Sequence, residues 1–429
     1  MKKLLTAALL VLALALAAAA VVRLRPARSA EPPRVERVAR GAGPLQAGAA
    51  EVRLDLPGPV PVAGFPRVRW MDEGTRDPVS ARALVVSEPG CSVALVSAEI
   101  LLVPVEVSRA VEEKVSDLGL DLVLVAATHT HAGPGGYWRN PVGERAATGP
   151  YDARVFAALV DRLAEAVRKA AAAREPAALS ASRADLSAFV YSRDGEEVDG
   201  RLLALRLASQ SGRPLAEVVV FAAHATILGS ENRRLSGDWP GFLMRSRPGV
   251  ALFFQGAIGD QSARMPDGTP ISPEAYGRAV DGRVAALAFP PGDPRPPLAV
   301  ATASVLLPEP SPGAAPPLLR RLATNLLYDL VPARSRVAAV RLGPTLLLAV
   351  PAEPVALVAH GWREATGEGS EVVSLAGDYL GYVETPENAA RGTGETVRTY
   401  YGPELAERLG RAVLAAAGAA REPGPAVAR

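Results

Sequence analysis

From Ala83 to the C-terminus, short apolar runs of strand length alternate with longer stretches of helical periodicity, which confines the chain to an α/β architecture. The strand runs are Ala83–Val86, Ser92–Ser97, Leu122–Ala126, Leu202–Leu207, Glu217–Ala223, Ala251–Gln255, Val337–Leu342 and Leu346–Val350. The helical stretches are Pro104–Leu118, Ala153–Ala173, Pro273–Ala288, Pro354–Glu364 and Pro403–Ala420. No internal repeat and no boundary after residue 50 interrupt this pattern. The expectation is therefore one α/β domain with mixed, largely parallel sheets flanked by helices. Two Pro-rich stretches, 290–297 and 308–317, read as surface connections.

A chain that is 49% hydrophobic and 21% charged can fill such a core. Its net charge of +2, with no basic stripe interleaved with aromatics, gives no reason to expect nucleic acid as a partner. Nothing in the sequence calls for an obligate protein partner either. The single cysteine, Cys91, excludes an intrachain disulfide framework and a cysteine-built zinc cage. Following Pro89 and Gly90, it reads as a small structural residue. Lys2 and Lys3 precede an apolar run from Leu4 to Val22, which predicts a signal peptide or an N-terminal membrane anchor over 1–22. Either form puts the bulk of the protein outside the cytoplasm, periplasmic or secreted, with membrane association through that segment. Residues 23–43, rich in Pro, Arg and Ala, are expected to form a linker to a folded domain over 44–429.

Open α/β sheets gather ligands at the carboxyl ends of their strands. Here Leu122–Ala126 leads into Thr128-His129-Thr130-His131-Ala132-Gly133-Pro134-Gly135-Gly136. The run from Glu217 ends in His224, the run from Ala251 in Gly259-Asp260-Gln261-Ser262, and the run from Leu346 in Val350-Pro351-Ala352-Glu353. In extended chain, residues two apart share a face, so His129 and His131 can address one site together. The alternative is a pair of solvated or core histidines at a strand end. Two histidines and a glutamate from different strand ends suit zinc with one position left for water, a chemistry fit for hydrolysing an amide or ester. A further histidine beside such a site can serve as acid–base or hold an oxyanion. Asp260 also suits an N-cap or turn. His360, on a predicted helix without such a setting, reads as a surface or packing residue.

These segments, taken in order, resemble the neutral, non-lysosomal ceramidases. Residues 128–136 are similar to that family's THTHSGPGG, with Ala132 in place of serine. His224 with Asn232-Arg233-Arg234-Leu235-Ser236-Gly237-Asp238 resembles its VH…NRLIS.DN.G segment, with Trp239 where the family has asparagine. Gly259–Ser262 resembles GDVS, Val350–Glu353 resembles VPGE, and Asp378–Thr385 through Tyr401-Gly402-Pro403 resembles the tyrosine-rich region that ends in YGP. The resemblance spans about Gly64 to Pro403. It implies a ceramidase-like catalytic domain with Zn2+ held by His129, His224, Glu353 and Tyr382. It further implies that His131 is an acid–base or substrate-oxygen partner, that Ser262 contacts or attacks the scissile amide, and that Arg193 is an active-site arginine. A turn residue, a solvated arginine and a buried structural tyrosine are the plain alternatives for Ser262, Arg193 and Tyr382.

The implied reaction is hydrolysis of the N-acyl amide of ceramide or a related N-acyl lipid to a fatty acid and a sphingoid (amine) base. Departures from the family pattern keep a second reading open, a zinc hydrolase of the same fold acting on another acyl amide or ester. Gly394 replaces a tyrosine, the interval from Arg193 to His224 is short, and the family's C-terminal immunoglobulin-like domain is not expected here. A third reading, a non-catalytic extracytoplasmic binding protein, would require a broken metal set, whereas all four implied ligands are present.

Overall fold

The structure, a computed structural model, describes residues 11–12, 28–66, 71–316 and 319–422. The targeting segment expected over 1–22 lies outside the described residues apart from Val11 and Leu12. The strands are β1 (Arg34–Arg40), β2 (Gln46–Arg53), β3 (Ser80–Glu88), β4 (Cys91–Ala98), β5 (Leu122–Ala127), β6 (Glu175–Asp185), β7 (Val190–Ser192), β8 (Arg201–Ser209) and β9 (Pro214–Phe221). They continue with β10 (Val250–Gln255), β11 (Gln261–Ala263), β12 (Leu298–Leu306), β13 (Arg334–Leu342), β14 (Thr345–Ala349), β15 (Glu353–Pro354), β16 (Ser370–Val373) and β17 (Tyr382–Val383). Among the described residues, six helices longer than eight residues flank them: α1 (Val105–Lys114), α2 (Ala153–Ala172), α3 (Asp238–Ser246), α4 (Pro273–Ala285), α5 (Ala356–Thr366) and α6 (Glu404–Arg421).

An eight-stranded sheet in the order β10-β9-β8-β6-β2-β3-β4-β5 lies against a five-stranded sheet in the order β1-β12-β13-β14-β16. The pleat divides each central strand between two cores. On β3, Leu84 and Val86 enter the layer between the sheets, while Ala81, Ala83 and Val85 pack with the α1 and α2 residues. On β13, Val340 and Leu342 face the other sheet, and Val337 and Ala339 meet α5 and α6. The outer face of β9 and β10 is covered by α3 and α4. The result is helix, sheet, sheet, helix. Truncating one inter-sheet leucine such as Leu95 to alanine would cost about 2–5 kcal/mol.

Local signals set the helix ends. Asp152 accepts from the Arg154 amide to start α2, whose buried stripe Val155, Leu159, Leu163 and Val167 has helical spacing. Ser272 caps α4 in the same way, with Pro273 in its first turn.

The mixed α/β architecture is as expected, but the sheets are mainly antiparallel. Within them, only β4–β5, β9–β10 and β14–β16 pair in parallel. Two-residue turns at Pro89-Gly90 and Gly343-Pro344 fold β3 onto β4 and β13 onto β14 as hairpins, which imposes antiparallel pairing. The linker expected over 23–43 is also different in its second half. Arg34–Arg40 is the edge strand β1, paired with β12. Its mostly exposed side chains and three arginines are what an edge strand carries, and they hide the strand from a reading of apolar runs.

Candidate active site

Three parallel-paired strands aim their carboxyl ends at one place. β5 delivers His129 and His131, β9 delivers His224, and the turn after β14 delivers Glu353. Backbone bonds bind these ends together. The His131 amide donates to the Ala225 carbonyl at 3.0 Å, and the His224 amide to the Gln261 carbonyl at 3.1 Å. Gly259 donates to the Pro354 carbonyl at 2.8 Å, and Glu353 pairs with Tyr382 in the short β15–β17 ladder.

His129 and His131 do converge, though by a different route from the pleat of a strand. β5 stops at Ala127, and His129 has φ 64, a left-handed conformation costly for a residue with a Cβ. The ring centroids of His129 and His131 are 4.7 Å apart, and those of His129 and His224 4.9 Å. Gly64 allows the 63–66 segment to cross this turn. Its φ is +116, and a Cβ there would lie 2.4 Å from the His131 Cα.

The tautomers follow from the acceptors around the rings. His129 Nδ1 lies 2.7 Å from the Leu101 carbonyl, and His224 Nδ1 3.0 Å from the Gln261 carbonyl. With Nδ1–H donating to the Leu101 carbonyl, His129 keeps its Nε2 lone pair, the arrangement usual for metal-ligating histidines, whereas His224 Nδ1 has both the Gln261 carbonyl and the Arg193 guanidinium, at 3.1 Å, as neighbours. Glu353 Oε2 sits 3.2 Å from His129 Nε2 and 3.3 Å from His224 Nε2. The other oxygen, Oε1, accepts from Tyr379 Oη at 2.8 Å. Oε2 is buried and has no hydrogen-bond donor assigned to it. Nitrogen atoms of His129, His131 and His224 all lie within 4.8 Å of one another, so His131, expected beside the metal, also has the reach of a ligand.

The charge states fit a cation site. Burial pushes His224 down to about 4, with the Arg193 guanidinium adding to it. Burial and the neighbouring His129 and His224 rings hold His131 well below the ordinary imidazole value. Burial alone would raise the Glu353 carboxyl, but His129 and His224 outweigh it and keep the carboxyl well below its usual range. The lowered His131 and His224 and the ionised Glu353 carboxylate can offer lone pairs to a cation.

The remaining expected residues are also here. Tyr382 Oη lies 3.0 Å from His224 Nε2, and its ring stacks on that imidazole. Burial and the Glu353 charge keep its hydroxyl protonated. Ser262, on β11, is bridged to His224, and Arg193 Nη1 approaches its Oγ at 3.4 Å and His224 Nδ1 at 3.1 Å. Arg193 also donates to the Gly259 carbonyl. Asp260 accepts from the Ala356 amide at 2.9 Å in the first turn of α5, from another loop, the N-cap position of that helix being Val355. His360 is half-exposed between Glu197 and Glu364, away from the site. Two members escaped the sequence reading. Tyr379 lies inside the Asp378–Thr385 segment, where only Tyr382 was singled out. Glu395 holds Arg193 Nη2 at 2.7 Å, and no motif marks it. Next to it, Gly394 has φ +59, and a Cβ would lie 2.4 Å from Glu384 Oε2, so a side chain here would strain the backbone and displace the Glu384 carboxylate.

Comparison with known proteins finds a likeness in part of the sequence and a likeness in fold. Residues 52–245 match the family model described as neutral/alkaline non-lysosomal ceramidase, N-terminal. That stretch contains His129, His131, Arg193 and His224, whereas Ser262, Glu353 and Tyr382 lie beyond it. Neutral ceramidase from Mycobacterium tuberculosis is 31% identical over 215 residues, which is 42% of this chain and 33% of that protein. Neutral ceramidase A of Dictyostelium discoideum is 28% identical over 171 residues, 33% of this chain and 24% of that one. The matched stretches thus span a third or less of these curated relatives. The crystal structure of neutral ceramidase from Pseudomonas aeruginosa superposes with TM-score 0.77 at 18% identity, covering 90% of this chain and 76% of that one. Over residues 52–245 the chain is similar in sequence to the neutral/alkaline non-lysosomal ceramidases, and over most of its length it shares the fold of one of them.

Proposed function

We propose that the chain is a zinc-dependent amidohydrolase that cleaves the N-acyl bond of ceramide or a related N-acyl lipid. The observation that carries this reading is Glu353 Oε2, a buried carboxylate oxygen without a donor, facing two imidazole Nε2 atoms. An anionic oxygen and two lone-pair nitrogens fit a divalent cation, and this N/O donor set with no thiolate suits zinc. His129, His224 and Glu353 would hold it, with Tyr382 beside His224. Bound there, zinc would supply Lewis acidity toward a carbonyl oxygen and lower the pKa of water.

The chain's own residues then divide the work. Hydrolysis adds OH to the acyl carbon and H to the departing amine nitrogen. His131, uncharged near neutral pH, takes up a proton from the nucleophile and returns it to the amine. Arg193, fixed by Glu395, orients Ser262 and presents a positive charge to a developing oxyanion. Ser262 binds the scissile amide or attacks it. We place this activity outside the cytoplasm because of the apolar run Leu4–Val22 behind two lysines. No helix among the described residues is long and apolar enough to cross a membrane.

Gly394, a glycine at φ +59 beside Glu384 and Glu395, favours a second reading in which the same chemistry acts on a non-ceramide acyl amide or ester. Turnover of a fluorescent ceramide against short N-acyl amines and esters, with a chelator arm and His129→Ala as control, tests both. Ceramide hydrolysis lost on chelation and in H129A is expected. Wild-type turnover in the metal-stripped protein would overturn the proposal.

A further inference from the structure

A cleft of about 600 Å³ opens at the seam between the two sheets, bounded by β1, α1, β5 and β13. None of the histidines, nor Glu353 or Ser262, lines it. Its volume is in the range of small-molecule sites. The inner wall is apolar, built from Leu122, Leu124, Ala338 and Ala376 of the inter-sheet layer. The outer rim is cationic. Four arginines line the cleft against three carboxyl groups: Glu36, Glu112 and Asp378.

The pairing of these charges is uneven. Arg334 is held by Glu31 and Arg336 by Glu112. Asp378 accepts from Ser335 Oγ and the Tyr379 amide. Arg34 and Arg109 make no hydrogen bond or salt bridge among the described residues. A second observation points the same way. Ser108, between Val105 and Arg109 on the cleft wall, is buried at 3% exposure, and its Oγ has no hydrogen-bond partner. Buried hydroxyls are normally satisfied, so an orphan beside a cleft marks a place where a partner belongs.

We propose that this cleft binds one single-chain amphiphile with an anionic oxyacid head, the head bonded by Arg34 and Arg109 and the chain laid along Leu122, Leu124 and Ala338. Guanidinium groups grip carboxylate and phosphate alike, while the apolar wall rejects a small hydrated anion. The site does not depend on the hydrolytic reading, because no residue of that machinery takes part in it.

The test is a titration of the full chain with a fluorescent polyene fatty acid, with displacement by an alkyl carboxylate, an alkyl phosphate and an alkyltrimethylammonium of equal length. Saturable one-to-one binding is expected, displaced by the anionic chains and not by the cationic one; the stronger of the two anions identifies the head. The exposed pair R34E/R109E should weaken binding by roughly tenfold or more, with R34Q/R109Q intermediate, while H129A retains it. Binding that ignores the rim substitutions, yields equally to the cationic chain, vanishes in H129A or fails to occur overturns the proposal.

Discussion

Replacing Tyr379 by phenylalanine removes one oxygen atom and tests how the carboxylate is held. The lost contact is the 2.8 Å bond from Tyr379 Oη to Glu353 Oε1. Glu353 is 1% exposed, so water cannot take over, and a hydrogen bond to a buried charge is worth about 1.5–3 kcal/mol. Part of that loss falls on the metal-free protein. The remainder appears as weaker grip on the cation, since an outer bond to a ligating carboxylate is worth roughly 10–100-fold in metal affinity, or about 1.4–2.7 kcal/mol. Zinc affinity measured by competition with a chromophoric chelator should therefore fall by that factor in Y379F. Tyr401→Phe is the control. It removes a hydroxyl that donates to the Pro332 carbonyl and touches no member of the site, so its zinc affinity should equal wild type. A Y379F affinity within about threefold of wild type, or an equal loss in Y401F, would refute the role given to the Tyr379–Glu353 bond.

Three other perturbations have defined outcomes. Gly64→Ala forces a Cβ to within 2.4 Å of the His131 Cα at φ +116. Turnover should fall by roughly a hundredfold as His131 is displaced, and unchanged kinetics would show that the turn has slack. His131→Ala should retain bound metal while losing about 10²–10⁴-fold in turnover; loss of the metal would move His131 into the ligand set. Burial raises Glu88 from 4.5 to about 7, so its contribution to stability is fully present below pH 4.5 and lost as pH rises through about 7. In urea melts at rising pH, Glu88→Gln should gain on wild type across that window and hold its advantage above it; parallel curves would contradict the assignment.

The sequence made the site more legible than the sheets around it. β5, β9, β10 and β14, whose ends were followed to the polar groups, are members of the parallel pairs and are buried almost throughout, so their apolar runs are unbroken. The strands that the apolar runs did not reveal left weaker traces. β6 alternates Ala and Ser with half-exposed residues, β1 is a charged edge, and β7, β11, β15 and β17 are too short to show a period. α3 contains Pro240 and Gly241, which argue against a helix locally, yet Trp239 and Leu243 anchor it in the core. His129 and His131 converge through a left-handed turn, a conformation that a histidine in the sequence does not announce. Glu395 was out of reach because its role exists only through Arg193, two hundred residues earlier in the chain.

The central claim is that His129, His224 and Glu353 together hold a catalytic metal. Elemental analysis of the purified full chain beside its Glu353→Gln variant, paired with turnover of the fluorescent N-acyl substrate, tests it most directly. The account predicts one zinc per chain in the wild type, and loss of both zinc and turnover in E353Q with the fold intact by circular dichroism. Full zinc occupancy and activity in E353Q, or an active wild-type chain without metal, would contradict it.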